Sequence, residues 1–74
     1  MIKRKLVTKR EDYLIQTVPL PGGKEKVCVK HRTTSTSATE VTFLEAMQSV
    51  LKQLENKYGW DVIYRDQDGK VVKN

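Results

Sequence analysis

The stretch TFLEAMQSVLKQLENKYG, residues 42–59, constrains the fold of this chain more than any other. Its apolar residues recur at steps of three and four, which predicts an amphipathic α-helix with one wide apolar stripe. Thr42 and Glu45 form a capping box at its start, and Gly59 stands where helices often end in a left-handed residue. The stripe consists of Phe43, Leu44, Met47, Val50, Leu51, Leu54 and Tyr58.

Segments that alternate apolar and polar residues, or that are rich in β-branched and aromatic residues, flank this helix and predict β-strands. They are residues 2–8, 13–19 and 25–32 before the helix, and residues 60–66 and 71–72 after it. Pro21-Gly22-Gly23 and the Asp68-Gly69 pair predict the turns of two hairpins.

Two finer expectations concern the segments before the helix. The second strand is apolar on both faces, which favours a central position in the sheet. The hydroxyl run from Thr33 to Ser37 is interpreted as a loop into the helix. Ser37 and Glu40 form a second possible capping box, which would start the helix as early as Ala38.

These elements predict a single α+β domain over residues 1–74. We expect an antiparallel sheet of three to five strands, in the order β-β-β-α-β-β, with the helix on one face. The expected core is Ile2, Leu6, Ile15, Val27, Val29, Phe43 or Leu44, Met47, Val50, Leu51, Leu54, Tyr58, Trp60 and Val62.

The positive charge is concentrated before the helix. Residues 1–32 carry nine basic and three acidic residues, a net +6, whereas residues 33–74 carry five basic and six acidic residues, a net −1. Strand alternation sends the basic side chains of the first and third strands to the face opposite the helix. The predicted binding residues are Lys3, Lys5, Lys9, Lys26, Lys30 and Arg32.

A basic sheet face favours non-enzymatic binding of nucleic acid, because its lysine and arginine side chains can neutralise phosphates. Strands can also enter the major groove of DNA. The hydroxyl run and the helix N-terminus would add contacts to a phosphate. The β-β-β-α order is similar, in topology alone, to the small DNA-binding modules of some phage integrases and AP2-type factors, although the C-terminal hairpin departs from that pattern.

The alternative is a protein-binding adaptor or inhibitor. An exposed edge strand, either the first strand or Val71-Val72, would pair with a partner's sheet, and the lysines would steer the chain towards an acidic protein surface. Lysines on edge strands also serve simply to prevent aggregation. A homodimer is compatible with either function.

Enzymatic and metal sites have little support in the sequence. One cysteine, Cys28, and one histidine, His31, are too few for a structural zinc site, and a strand would send them to opposite faces. We expect no cofactor and no catalytic residue, although Asp61 is a conceivable partner of His31. The single cysteine favours the cytoplasm, and no apolar run approaches the length of a membrane span.

Overall fold

The computed structural model describes residues 4–74, and within them six strands and one long helix confirm the α+β class. The predicted order of strands and helix is also confirmed, with one further short strand directly before the helix. The elements are β1 (Lys5–Thr8), a 3₁₀ turn (Arg10–Asp12), β2 (Tyr13–Leu20), β3 (Lys24–His31), β4 (Ser37–Glu40), α1 (Phe43–Tyr58), β5 (Asp61–Arg65) and β6 (Val71–Lys73).

The ends of α1 are set by the residues that the sequence indicates. The Glu45 amide donates to Thr42 Oγ1 at 3.2 Å, and the Thr42 hydroxyl donates to Glu45 Oε1 at 3.0 Å. Gly59 closes the helix with φ of +70°, a conformation that costs glycine little. The predicted helix is therefore confirmed at both ends.

The segment before α1 differs from its prediction. Residues 37–40 form β4, which pairs antiparallel with β3 so that Ala38 lies opposite Val29. The expectation of a helix beginning at Ala38 is therefore wrong. Pairing with β3 satisfies the backbone N–H and C=O groups of this polar segment. Its side chains show no regular apolar pattern that would predict a strand.

The strands form two three-stranded sheets, and α1 packs against both. One sheet has the antiparallel order β2-β3-β4. The other has the order β1-β5-β6, in which β1 runs parallel to β5 and β5 runs antiparallel to β6. The expected central position of β2 is wrong, because β1 pairs with β5 and leaves β2 at a sheet edge.

The core lies between α1 and the inner faces of both sheets. Met47, Val50, Leu51, Leu54, Val29 and Val62 are fully buried, as expected. Leu6, Ile15, Val27, Phe43 and Trp60 are partly buried and pack against this cluster. Ile2 lies outside the described residues.

Two members of the predicted helical stripe are exposed, and the structure adds others to the core. Leu44, at the margin of the stripe, is 52% exposed, and Tyr58, the last residue of α1, is 37% exposed. The buried residues that are absent from the expected core are Thr8, Tyr13, His31, Ala46, Ile63 and Tyr64.

A hydrogen-bonded chain joins the two sheets inside this core. Thr8 Oγ1 donates to the carbonyl of Ile63 at 2.8 Å and lies 2.6 Å from the Tyr13 hydroxyl. Since the single proton of Thr8 is committed to Ile63, Tyr13 must donate to Thr8. Burial raises the pKa of Tyr13 to about 12.

The far part of the β2–β3 hairpin extends away from the core. Strand β4 pairs with β3 only from Val27 onward, so residues 18–26 form a two-stranded ribbon, which we call the β-ribbon arm. Its residues are exposed except Leu20 and Lys26, which are half-buried. Gly22 and Gly23 adopt φ of +84° and +76° in its turn, which explains the Gly-Gly pair. The arm contributes to an elongated molecule of 48 × 27 × 18 Å.

No helix in residues 4–74 is long and apolar enough to cross a membrane.

Candidate nucleic-acid interface

The register of β2 against β3 decides which side chains face away from the helix. Ile15 pairs with Val29, which is fully buried under α1. Because successive side chains alternate, the neighbouring pair of Leu14 and Lys30 points to the opposite side of the sheet. The outward positions of the two strands are therefore the even-numbered ones.

All the charged side chains on the outward side of the β2-β3-β4 sheet are basic. Lys24, Lys26 and Lys30 lie on β3, and Arg32 follows the strand directly and shares a shallow hollow with Leu14 and Lys30. We call this surface, with its four basic residues, the basic face.

The carboxylates of this sheet lie on its other side. Glu25 pairs with Pro19 and Glu40 pairs with Val27, which are inward positions of the register. Within the three strands, the basic face is therefore free of negative charge. Such a surface attracts a polyanion without internal compensation.

The structure brings together three of the six predicted binding residues, Lys26, Lys30 and Arg32. It places Lys5 on β1 opposite Asp61, in the other sheet, and Lys9 beside the 3₁₀ turn. Lys3 lies outside the described residues. The cause is again the pairing of β1 with β5, which takes the first basic cluster away from β3.

Lys24 joins the basic face although it was not among the predicted residues. It is the first residue of β3 and pairs with Leu20 across the hairpin. Extending the alternation two residues back from Lys26 would have found it, since the strand begins one residue earlier than predicted.

Backbone and side-chain contacts hold Arg32 at one end of the basic face. Its amide donates to the carbonyl of Asp12 at 2.9 Å, and its Nε donates to the carbonyl of Tyr13 at 3.4 Å. Leu14 and Val18, which are 40% and 37% exposed, lie on the same face and offer apolar contact area between the charges.

The hydroxyl run does not meet the N-terminus of α1, so the predicted joint phosphate contact is wrong. Residues 34–37 lie instead against the C-terminal half of the helix, where they line a cleft of about 570 Å³ with Gln53, Asn56 and Lys57. Gln53 Nε2 donates to the carbonyl of Ser37 at 3.2 Å. Strand β4 separates this run from the helix start.

His31 and Cys28 do not form a joint site. His31 points inward and is buried, whereas Cys28 points outward, lies opposite Gln16 and is half-buried. The carboxylate near His31 is that of Asp12 and not that of Asp61. Burial lowers the pKa of the imidazole, and the negative charge of Asp12 acts in the opposite direction. Within the described part of the chain, no three His, Cys, Asp or Glu side chains cluster as a metal site would require.

Comparison of the chain with protein-family models, with curated proteins and with solved structures found no match.

Proposed function

We propose that this chain is a small non-enzymatic nucleic-acid-binding protein that contacts phosphates through its basic face. The observation that carries the proposal is the placement of Lys24, Lys26, Lys30 and Arg32 on one side of a sheet whose carboxylates lie on the other side. Lysine and arginine side chains on such a surface release condensed counterions when they bind a polyanion.

The length of the basic face suits a nucleic-acid backbone. Lys24 and Arg32 are eight residues apart on an extended chain, which corresponds to roughly 26 Å. Over this distance the charges repeat at short intervals, so several phosphates of one strand can be contacted together. The exposed Leu14 and Val18 leave room for apolar contact with sugars or bases.

The β-ribbon arm fits a groove as well as a backbone. Two paired strands are about 5 Å apart, and the major groove of B-DNA, about 12 Å wide, admits a two-stranded ribbon. In the arm, Lys24 and Lys26 are the outward basic residues, and neither β4 nor α1 pairs with or covers its tip. Entry of the arm into a groove would set the orientation of the whole basic face.

The proposal is tested by measuring the affinity for generic duplex DNA against salt, from about 50 to about 200 mM. The test variant is the triple substitution Lys26→Ala, Lys30→Ala and Arg32→Ala. The matched control is Lys52→Ala, Lys70→Ala and Lys73→Ala, which makes the same change in net charge at exposed positions on α1, β6 and the turn before β6.

We expect the slope of log K against log salt to flatten by about three in the test variant, because three phosphate contacts are lost. The control variant should retain nearly the full slope. Equal losses in both variants would mean that binding follows net charge alone, and would contradict the proposed interface.

A second candidate function, a protein-binding adaptor, is favoured by one observation. β1 and β6 are the two edges of the β1-β5-β6 sheet, and Val71 on β6 is 45% exposed. A partner strand added to either edge would gain backbone hydrogen bonds. Binding of this kind would survive the triple substitution on the basic face.

A further inference from the structure

A second concave site lies where the two sheets meet, at the end of the β2-β3-β4 sheet away from the arm. It is a cleft of about 350 Å³, at the lower end of the volumes typical of ligand pockets. Its walls combine aliphatic, aromatic, hydroxyl and titratable groups. The lining residues are Leu6, Val7, Thr8, Asp12, His31, Thr33, Thr34 and Trp60.

The hydrogen bonds of His31 fix the character of its second ring nitrogen. The Thr34 hydroxyl donates to Thr36 Oγ1 at 2.9 Å, so the contact of 2.8 Å between His31 Nδ1 and Thr34 Oγ1 requires the proton on Nδ1. In the neutral imidazole, Nε2 then carries a lone pair and accepts hydrogen bonds.

The Nε2 atom of His31 is the acceptor that this side chain can offer to a ligand in the cleft. Among the described residues, every buried side-chain nitrogen or oxygen has a hydrogen-bond partner. No hydrogen bond within residues 4–74 involves Nε2, and His31 is one of the residues that line the cleft. Burial lowers the pKa of His31, which keeps the acceptor form populated near neutral pH.

Asp12 and Trp60 complete the chemistry of the cleft. Asp12 Oδ2 accepts from the Lys9 amide at 2.8 Å, and the remaining lone pairs of the carboxylate stay available as acceptors. Trp60 lines the cleft and stacks on Tyr58 with the ring centroids 4.5 Å apart and the rings inclined by 16°. The site therefore offers acceptors beside a flat aromatic wall.

We propose that this cleft binds one unstacked nucleobase that carries an exocyclic amino group. Such a base is flat, stacks on an indole, and donates N–H groups to His31 Nε2 and to the Asp12 carboxylate. Thr33 in the cleft wall directly follows Arg32 of the basic face, so the cleft adjoins one end of that face. This inference rests on the proposed function.

The test uses the full chain and single-stranded oligonucleotides of equal length, made of deoxycytidine or of thymidine. Cytosine has an amino group at the position where thymine has a carbonyl oxygen. Trp60 is the one tryptophan of the chain, so its fluorescence reports occupation of the cleft. We expect the cytosine strand to bind about tenfold more tightly than the thymine strand, because a hydrogen bond to a charged acceptor contributes a difference of this size. Binding of the cytosine strand should also quench the fluorescence of Trp60.

The test variant is Asp12→Asn, and the control is Asp66→Asn in the turn before β6. Asparagine at position 12 can still accept from the Lys9 amide, but it turns part of the acceptor into a donor. The preference for cytosine should be lost in the test variant and kept in the control variant.

The outcomes separate this inference from the proposed function. Salt-dependent binding of both strands with equal affinity, without quenching of Trp60, would overturn the base-binding cleft and leave the basic face intact. A cytosine preference that survives Asp12→Asn would also overturn it. Absence of binding to either strand and to duplex DNA, even at low salt, would overturn both proposals.

Discussion

The two sheets of this protein share one helix and differ on their outward sides. Both present fully buried valines to α1, Val29 from β3 and Val62 from β5. On the outward side, the β2-β3-β4 sheet carries positive charge alone, whereas the β1-β5-β6 sheet places Lys5 opposite Asp61. Two surfaces with the same structural task inside the molecule therefore differ in what they can attract from outside.

The sheets also differ in how the chain forms them. Strands β2, β3 and β4 are consecutive and pair through a hairpin and a short loop. In the other sheet, Lys5 pairs with Asp61, which closes most of the chain into one loop. Contacts of such long range carry a larger loop-closure cost before they are formed. The basic face thus belongs to the locally formed sheet, and the second sheet joins the two ends of the chain.

The largest predicted effect concerns the core that joins the sheets. Leu51→Ala should lower the free energy of unfolding by about 2–5 kcal/mol, because Leu51 is fully buried between both inner faces. Chemical denaturation followed by Trp60 fluorescence and by far-ultraviolet circular dichroism measures this loss. Both probes should report one coincident transition.

The matched control for this substitution is Leu44→Ala. Leu44 lies on the same helix but is 52% exposed, so its truncation should change the free energy of unfolding by no more than about 0.5 kcal/mol. Two separate transitions for Leu51→Ala would show that the sheets are independent units, contrary to a shared core.

A smaller effect is predicted at the hydrogen bonds that join the sheets. Tyr13→Phe removes the donor to Thr8 Oγ1 and should cost about 0.5–1.5 kcal/mol at neutral pH. Thr8 keeps its bond to the carbonyl of Ile63, so the junction is weakened but not lost. Denaturant unfolding of the variant at neutral pH gives the value.

The change in the free energy of unfolding at alkaline pH sharpens this prediction. The pKa of Tyr13 is raised by burial from 10.0 to about 12, so its stabilising contribution is complete below pH 10 and is lost as the pH rises towards 12. The unfolding free energy should fall more steeply over this range in the wild type than in Tyr13→Phe. Tyr58→Phe, at an exposed ring, should behave as the wild type does, and equal falls in Tyr13→Phe and the wild type would contradict the assignment.

Local signals in the sequence predicted α1 and the β2–β3 hairpin. The Thr42–Glu45 box and Gly59 act within a few residues, as do the Pro-Gly-Gly turn and the alternation of β3. Such signals need no knowledge of the rest of the chain. The same alternation was sufficient to place Lys26, Lys30 and Arg32 on one face.

Pairings over long range were beyond the sequence pattern. Nothing in residues 5–8 indicates that they pair with β5 and not with β2, and this choice moved Lys5 and Lys9 off the basic face. Strand β4 could not be predicted from its polar sequence, because the segment becomes a strand by pairing with β3. The meeting of His31, Asp12 and Trp60 in one cleft likewise depends on both sheets.

The most direct test of the account is a map of backbone amide shifts by nuclear magnetic resonance, recorded while duplex DNA is added at low salt. The account predicts that the largest changes lie on β3 and its outward neighbours, from Lys24 to Arg32, and that β5 and β6 change little. Changes concentrated on the β1-β5-β6 sheet, or no change at low salt, would contradict the assignment of the basic face as the binding surface.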